Sequence, residues 1–143
     1  MDNYNVLVLM KKDKATNMLI ETIDSYTISE DMSLIEKVYF AEEESGNFIY
    51  LTLTTEDVDD WQYYGIYDLY KEEVFEALVD EILDGSGEYN PRWILKFSYK
   101  EDRIDMEDKL NKIIRLHLNE LQRVLPIIEE NKDKYQNKAE TEE

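Results

Sequence analysis

The chain has 143 residues, of which 34 are Asp or Glu and 16 are Lys or Arg, so its formal net charge is −18. A surface this negative repels phosphate backbones and anionic lipid headgroups, which argues against direct binding of nucleic acid or of a membrane. Hydrophobic residues make up 43% of the sequence, which is enough for a packed core. The absence of cysteine excludes disulfides, thiolate metal sites and a cysteine nucleophile.

The sequence carries no targeting segment that the usual patterns identify. Its first residues lack a basic stretch, and the apolar run 6–10 is too short for a signal peptide. No apolar run approaches the length of a transmembrane helix. We therefore expect a cytoplasmic protein, and the preference for Lys over Arg, with abundant Ile, Asn and Tyr, indicates an AT-rich bacterial genome.

The first third of the chain has the patterns of β-strands. Residues 6–10 are apolar on both faces, as in a central strand, and residues 18–28 are rich in β-branched side chains. Residues 34–41 and 48–54 alternate between apolar and other side chains on either side of a turn that contains Glu and Gly. These segments predict two hairpins that together form a four-strand meander.

The middle of the chain is harder to interpret. Residues 61–67 are ambiguous between strand and helix, but their aromatic density and Gly65 disfavour a helix, so we predict a fifth strand. A helix is predicted from about residue 70 to residue 83, because apolar residues recur there at helical spacing. The members of this stripe are Val74, Phe75, Leu78, Val79 and Ile82.

The last third predicts one strand and one long helix. Residues 93–99 alternate strictly, and an apolar stripe from Met106 to Leu125 follows a cap at Asp102 or Asp105. Pro126 lacks an amide hydrogen, so it must kink this helix or start a second one.

Together the elements predict an α+β fold with an antiparallel sheet of five or six strands and two helices packed on one face. The predicted order is ββββ(β)αβα. Apolar anchors nearly vanish after residue 131, so we predict one globular domain over residues 1–134 and a polar, disordered tail over residues 135–143.

Catalytic signatures are missing from the sequence. The four glycines form no phosphate-binding loop, and no hydrolase or metalloprotease motif occurs. The single histidine, His117, would be a general base only if a carboxylate such as Glu81 or Glu120 oriented it, and its place on an apolar stripe favours a core residue. We predict no catalytic residue and no cofactor.

The acidic cluster at residues 56–60 is the candidate for a Mg²⁺ or Ca²⁺ site, because both ions prefer oxygen ligands. A calcium loop that began at Asp57 would need glycine at its sixth position, where the sequence has Gln62, and glutamate at its twelfth, where it has Asp68. The cluster therefore predicts a solvated loop and no metal site.

The most distinctive local feature is an aromatic segment. Tyrosine and tryptophan rings bury a large area at low entropic cost, and they are enriched where proteins meet. We therefore predict that this segment binds a protein partner; its residues are Trp61, Tyr63, Tyr64, Tyr67 and Tyr70.

The favoured function is a non-enzymatic protein-interaction or regulatory module. Two alternatives stay open: an acidic nucleic-acid mimic that blocks a basic protein cleft, and a divalent-metal-dependent enzyme. The last helix is a second candidate contact surface, because Val124, Ile127 and Ile128 would extend its apolar stripe and support a homodimer.

Overall fold

The computed structural model of the protein describes residues 5–85 and 90–141. Within these residues the chain forms one six-strand sheet, three α-helices and a short 3₁₀ helix at Glu72–Phe75. The strands are β1 (Asn5–Lys12), β2 (Leu19–Ile28), β3 (Ile35–Glu43), β4 (Gly46–Leu53), β5 (Glu81–Asp84) and β6 (Trp93–Ser98). The α-helices are α1 (Asp60–Leu69), α2 (Arg103–Glu130) and α3 (Lys132–Thr141).

The strand order across the sheet is β2-β1-β3-β4-β6-β5. The α+β class and the hairpins β1–β2 and β3–β4 are confirmed. The fully antiparallel meander is wrong, because β3 pairs with β1 in parallel, where Lys11 lies opposite Phe40, and does not pair with β2. The sheet is therefore mixed, although its remaining pairs are antiparallel.

Helix α2 covers one face of the sheet. Alternate side chains of the central strands are withdrawn from solvent into one core with the apolar stripe of α2, which the sequence pattern predicted. The members of this layer with no exposed surface include Leu9, Ile49, Leu51, Leu95, Phe97, Leu110 and Ile113. Helix α1 packs against α2, and α3 packs against α1.

The predicted strand at residues 61–67 is wrong, because these residues belong to α1. The close packing of α1 against α2 explains why glycine, a poor helix former, occupies position 65. A Cβ atom at this position would lie 2.6 Å from Cγ1 of Ile128, so only glycine lets α1 approach α2 this closely. Tertiary packing thus overrides the low helix propensity of the segment.

The predicted helix at residues 70–83 is also wrong. Its first part is the 3₁₀ helix Glu72–Phe75, and its last part is the edge strand β5, which pairs with β6. The backbone N–H of Asp80 donates to the carbonyl of Lys96 at 2.8 Å and leads the chain into that pairing. The apolar spacing of residues 70–83, which is typical of one helix, is therefore divided between the 3₁₀ helix and strand β5.

The end of the chain forms a helix that the sequence pattern did not indicate. Pro126 lies inside α2 without ending it, and residues 135–141 of the expected disordered tail belong to α3. Tyr135 is 2% exposed, and its hydroxyl donates to Oδ2 of Asp68 on α1 at 2.8 Å. Three helices are therefore described, where two were predicted; residues 142–143 lie outside the described part of the chain.

Candidate functional site

The site is built on a buried polar group beneath α1. Tyr70 ends α1, and its hydroxyl lies 2.7 Å from Nδ1 of His117 on α2. Nε2 of the same imidazole lies 2.7 Å from the backbone carbonyl of Thr54. Because a carbonyl only accepts, Nε2–H must donate to Thr54, and the hydroxyl of Tyr70 then donates to Nδ1.

Burial keeps both side chains neutral. It lowers the pKa of His117 to about 4, against the opposing effect of the hydrogen bond to Thr54. Burial also raises the pKa of the Tyr70 hydroxyl above its usual range. Both imidazole nitrogens are engaged, because the lone pair on Nδ1 accepts the hydrogen bond from Tyr70 and Nε2–H donates to Thr54. His117 is therefore the core residue that the apolar stripe favoured.

Aromatic packing fixes this group in place. The ring of Trp93, at the start of β6, stacks on Tyr70 with a centroid distance of 4.3 Å and meets His117 edge-on at 4.9 Å. Phe75 of the 3₁₀ helix also stacks on Tyr70, with a centroid distance of 6.4 Å. Such offset and edge contacts each add to the stability gained from burial, so the floor of the site is rigid.

The ion pair between Glu120 and Arg123 on α2 is hydrogen-bonded to the backbone at the end of α1. The backbone N–H of Lys71 donates to Oε2 of Glu120 at 2.9 Å, and Arg123 binds the same carboxylate at 2.8 Å. The guanidinium of Arg123 holds the pKa of Glu120 below its usual value. Arg123 also donates to the carbonyl of Leu69 at 2.8 Å, which satisfies a carbonyl left over at the helix end.

A cleft of about 370 Å³ opens above this floor, between α1, the 3₁₀ helix and the β5–β6 edge. We call it the aromatic cleft. Tyr70 and Trp93 form its floor, and Tyr63 and Tyr67 form one wall. Its rim carries the carboxylates of Glu72 and Glu73, and Tyr67 is 82% exposed.

The aromatic cleft brings together three of the five predicted binding residues, namely Tyr63, Tyr67 and Tyr70. Spacings of four and three residues place them on one face of a helix, whereas on the predicted strand Tyr70 would have faced away from the other two. Trp61 and Tyr64 lie outside the cleft. The Nζ atom of Lys132 lies 5.2 Å from the Trp61 ring, and Tyr64 is half-buried against the core.

A family model described as a family of unknown function, DUF6762, matches residues 1–136. The chain belongs to this family. Neither a curated protein nor a solved structure matches it. Family membership therefore leaves the chemistry of this DUF6762 protein to be argued from its own residues.

Sequence reasoning missed three parts of the cleft: Trp93, Glu72 and Glu73. Trp93 was assigned to a strand, but its alternation pattern carries no sign that it would stack on Tyr70. The two glutamates fall within the helix predicted at residues 70–83, which does not form. Trp93 lies beside Tyr70 because β6 takes its place between β4 and β5 in the sheet, a contact that no local sequence pattern marks.

The acidic cluster at residues 56–60 has structural contacts. The side chain of Asn90 donates to Asp57 at 2.9 Å, and the backbone N–H of Asp59 donates to the Gln62 side chain at 2.8 Å where α1 begins. Within residues 5–85 and 90–141, no group of three or more His, Asp or Glu side chains is arranged to hold a metal ion.

The apolar residues of α2 that predict a dimer interface are mostly buried. Val124 and Ile128 have no exposed surface, and Ile127 is 36% exposed.

In the part of the chain that the structure describes, no helix combines the length and the apolar character needed to span a bilayer.

Proposed function

We propose that the protein is a non-enzymatic interaction module that holds, in the aromatic cleft, a partner segment presenting a Lys or Arg side chain. The observation that carries this proposal is the 82% exposure of Tyr67 beside a cleft with a rigid aromatic floor. A tyrosine ring left in water at the rim of such a cleft provides apolar area and a hydroxyl to a partner at low entropic cost.

Preorganisation of the floor supports binding. The hydrogen bonds from Tyr70 to His117 and from His117 to Thr54 fix the Tyr70 ring before any partner arrives. Stacking on Trp93 restricts it further. A partner would therefore lose little free energy to the ordering of this part of the surface.

Charge favours a cationic side chain in the cleft. Glu72 and Glu73 stand at the rim, and the whole chain carries a formal charge of −18. Arg92, the basic residue among the described residues of the lining, is paired with Glu36 at 2.5 Å. A lysine or arginine that entered would meet carboxylates and the faces of tyrosine rings, and a cation–π contact contributes about 0.5–2 kcal/mol.

The test uses two short peptides and the full chain. Acetyl-Ala-Arg-Ala-amide and acetyl-Ala-Glu-Ala-amide are titrated separately into isotope-labelled protein, and the ring resonances of tyrosine are followed by NMR. The arginine peptide should cause saturable shifts at Tyr63, Tyr67 and Tyr70, and the glutamate peptide should not.

Variants make the test specific to the cleft. Tyr67→Ala should weaken binding of the arginine peptide by at least about fivefold, since truncated aromatic anchors are often hot spots. Ile104→Ala is the matched control, because Ile104 is an exposed residue of α2 that does not line the cleft. Equal shifts with both peptides, or equal losses in both variants, would contradict the proposal.

The alternatives from the sequence differ in their response to salt and metal. An acidic mimic would bind a basic protein with an affinity that falls steeply as salt rises. A metal-dependent enzyme would gain stability from a divalent ion in a saturable way. The interaction module predicts a salt-tolerant apolar contribution from Tyr67 and no such gain.

A further inference from the structure

The face of the sheet opposite α2 has a different character from the rest of this acidic protein. The rings of Tyr39 on β3 and Tyr50 on β4 stack with a centroid distance of 5.1 Å and an interplanar angle of 9°. The Nζ atom of Lys12 lies 4.5 Å from the centroid of the Tyr39 ring, and that of Lys37 lies 5.9 Å from it. We call Lys12, Lys37, Lys96, Tyr39 and Tyr50 the lysine–tyrosine face.

The positive charge of this face is only partly neutralised. Lys96 lies 4.3 Å from the Phe48 ring centroid and pairs with Glu43 at 2.8 Å. Among residues 5–85 and 90–141, no carboxylate lies within salt-bridge distance of Lys12 or Lys37. In a chain with twice as many acidic as basic residues, two lysines held over one tyrosine ring form a local cationic patch.

Exposed apolar side chains flank the patch. Val6 and Val8 on β1 are 62% and 48% exposed, and they alternate with Leu7 and Leu9, which are buried under α2. The two valines therefore lie on the same side of the sheet as the lysine–tyrosine face. Contiguous exposed apolar surface beside polar groups is typical of interaction sites.

A shallow depression lies on this face. Its volume is about 290 Å³, and its lining includes Lys12, Lys14, Tyr39 and Tyr50. Glu42 and Glu43 also line it, and their carboxylates are paired with Lys11 and Lys96. Ammonium groups and aromatic ring faces together suit a carboxylate on a short apolar stem, because the carboxylate pairs with lysine while the stem covers the rings.

We propose that the lysine–tyrosine face binds an acidic segment of a partner protein, with carboxylates at Lys12 and Lys37 and apolar side chains over the tyrosine stack and the valines. This surface lies apart from the aromatic cleft and has the opposite charge preference. The protein would then connect a basic segment at one surface with an acidic segment at the other.

Charge complementarity favours a short protein segment over a nucleic acid. Two or three carboxylates fit within the patch, whereas a phosphate backbone would continue onto the surface of a chain whose formal net charge is −18. Screening at physiological salt limits repulsion to about 8 Å, so a short acidic segment is tolerated where a long polyanion is repelled.

The test measures the binding of three fluorescein-labelled probes to the full chain by anisotropy. One peptide has alternating Glu and Val, the second has alternating Lys and Val, and the third probe is a thymidine oligonucleotide of equal length. The Glu–Val peptide should bind saturably and more tightly than the oligonucleotide, and NMR shifts should centre on Tyr39 and Tyr50.

Matched variants decide whether the face is responsible. Lys12→Gln/Lys37→Gln should weaken Glu–Val binding by roughly tenfold, which corresponds to 1.4 kcal/mol. Lys112→Gln/Lys138→Gln makes the same charge change on exposed positions of α2 and α3 and should change binding less than about twofold. Tyr67→Ala should leave Glu–Val binding unchanged. The proposal for the lysine–tyrosine face can therefore fail without the proposal for the aromatic cleft failing, and the reverse also holds.

Four outcomes would overturn the proposal. These are no saturable Glu–Val binding, tighter binding of the oligonucleotide, equal losses in the two lysine double variants, and self-association of the wild type that Lys12→Gln/Lys37→Gln abolishes. The last result would assign the face to a second copy of the chain.

Discussion

Tyr67 and Tyr70 belong to the same aromatic segment, yet they lie in opposite environments. Tyr70 is 9% exposed, hydrogen-bonded to His117 and stacked on Trp93, whereas Tyr67 is 82% exposed at the rim of the same cleft. The comparison shows that residue type does not decide the role of an aromatic side chain. Its place on the element decides whether it contributes to folding or remains available to a partner.

The largest expected difference between floor and rim is in stability. Trp93→Ala removes a 5%-exposed ring that packs on both Tyr70 and His117, so it should lower the free energy of unfolding by about 3–5 kcal/mol. Tyr67→Ala should change it by less than about 0.5 kcal/mol. Urea denaturation of both variants checks this, with Phe97→Ala as a core reference. Similar losses of unfolding free energy for Trp93→Ala and Tyr67→Ala would show that the floor and the rim of the cleft do not differ in their contribution to stability.

The pH dependence of stability sharpens the description of the floor. The pKa of His117 is about 4 in the folded protein and about 6.5 when unfolded, so between these values the unfolded chain binds the extra proton. This contribution to stability is fully present above pH 6.5 and is lost as pH falls toward 4, by about 3 kcal/mol in total. Denaturation at several pH values from 7 to 5 should follow most of this loss.

His117→Gln provides the control for that titration. Glutamine does not titrate, so the variant should show a flatter pH profile over the same range even though it is less stable at pH 7. Relief of acidic repulsion at lower pH acts on both proteins and cancels in the difference. Parallel profiles for wild type and variant would show that His117 does not stay neutral in the fold.

The sequence predicted those elements whose pattern depends on local alternation. Strands β3, β4 and β6 and helix α2 follow from period-two or helical apolar spacing, because one face of each packs against the core. Strands β1 and β2 follow from their apolar and β-branched composition. The parallel pairing of β1 with β3 has no such signal, because it depends on the assembly of two separate hairpins. The class of fold was therefore predictable, and the order of its strands was not.

The site was predictable in composition but not in geometry. The aromatic density of residues 61–70 identified the segment, and propensity then assigned it to a strand. The deciding contact is that of Gly65 with Ile128, which are far apart in sequence. Similarly, the buried residues Tyr135 and Ala139 lie in a polar stretch, so α3 gave almost no pattern to detect.

The close approach of α1 to α2 can be tested at Gly65. An added Cβ would lie within 2.9 Å of three atoms of the buried Ile128 side chain, so Gly65→Ala should cost about 1–3 kcal/mol through overpacking, despite the better helix propensity of alanine. It should also displace the wall of the aromatic cleft and weaken binding of the arginine peptide.

A double-mutant cycle with Ile128→Ala isolates this contact. The second substitution removes all three clashing atoms, so the double variant should be more stable than the sum of the single effects implies. Strict additivity would mean that the two helices are not in this contact, and the position of Tyr67 would need another explanation.

The smallest expected effect concerns the fastening of α3 to α1. The hydroxyl of Tyr135 donates to Asp68, the residue next to Tyr67, and burial together with this carboxylate raises the pKa of the phenol to about 12. Tyr135→Phe keeps the buried ring but removes this hydrogen bond, so it should lower the free energy of unfolding by about 1 kcal/mol. Tyr67→Phe is the matched control: its hydroxyl belongs to an 82%-exposed side chain, and its removal should change stability by only a few tenths of a kcal/mol. Equilibrium denaturation resolves the two variants, and equal effects would mean that α3 does not hold the end of α1. If only Tyr135→Phe is destabilised and arginine-peptide binding also weakens, the last helix helps to position the cleft wall without touching the partner.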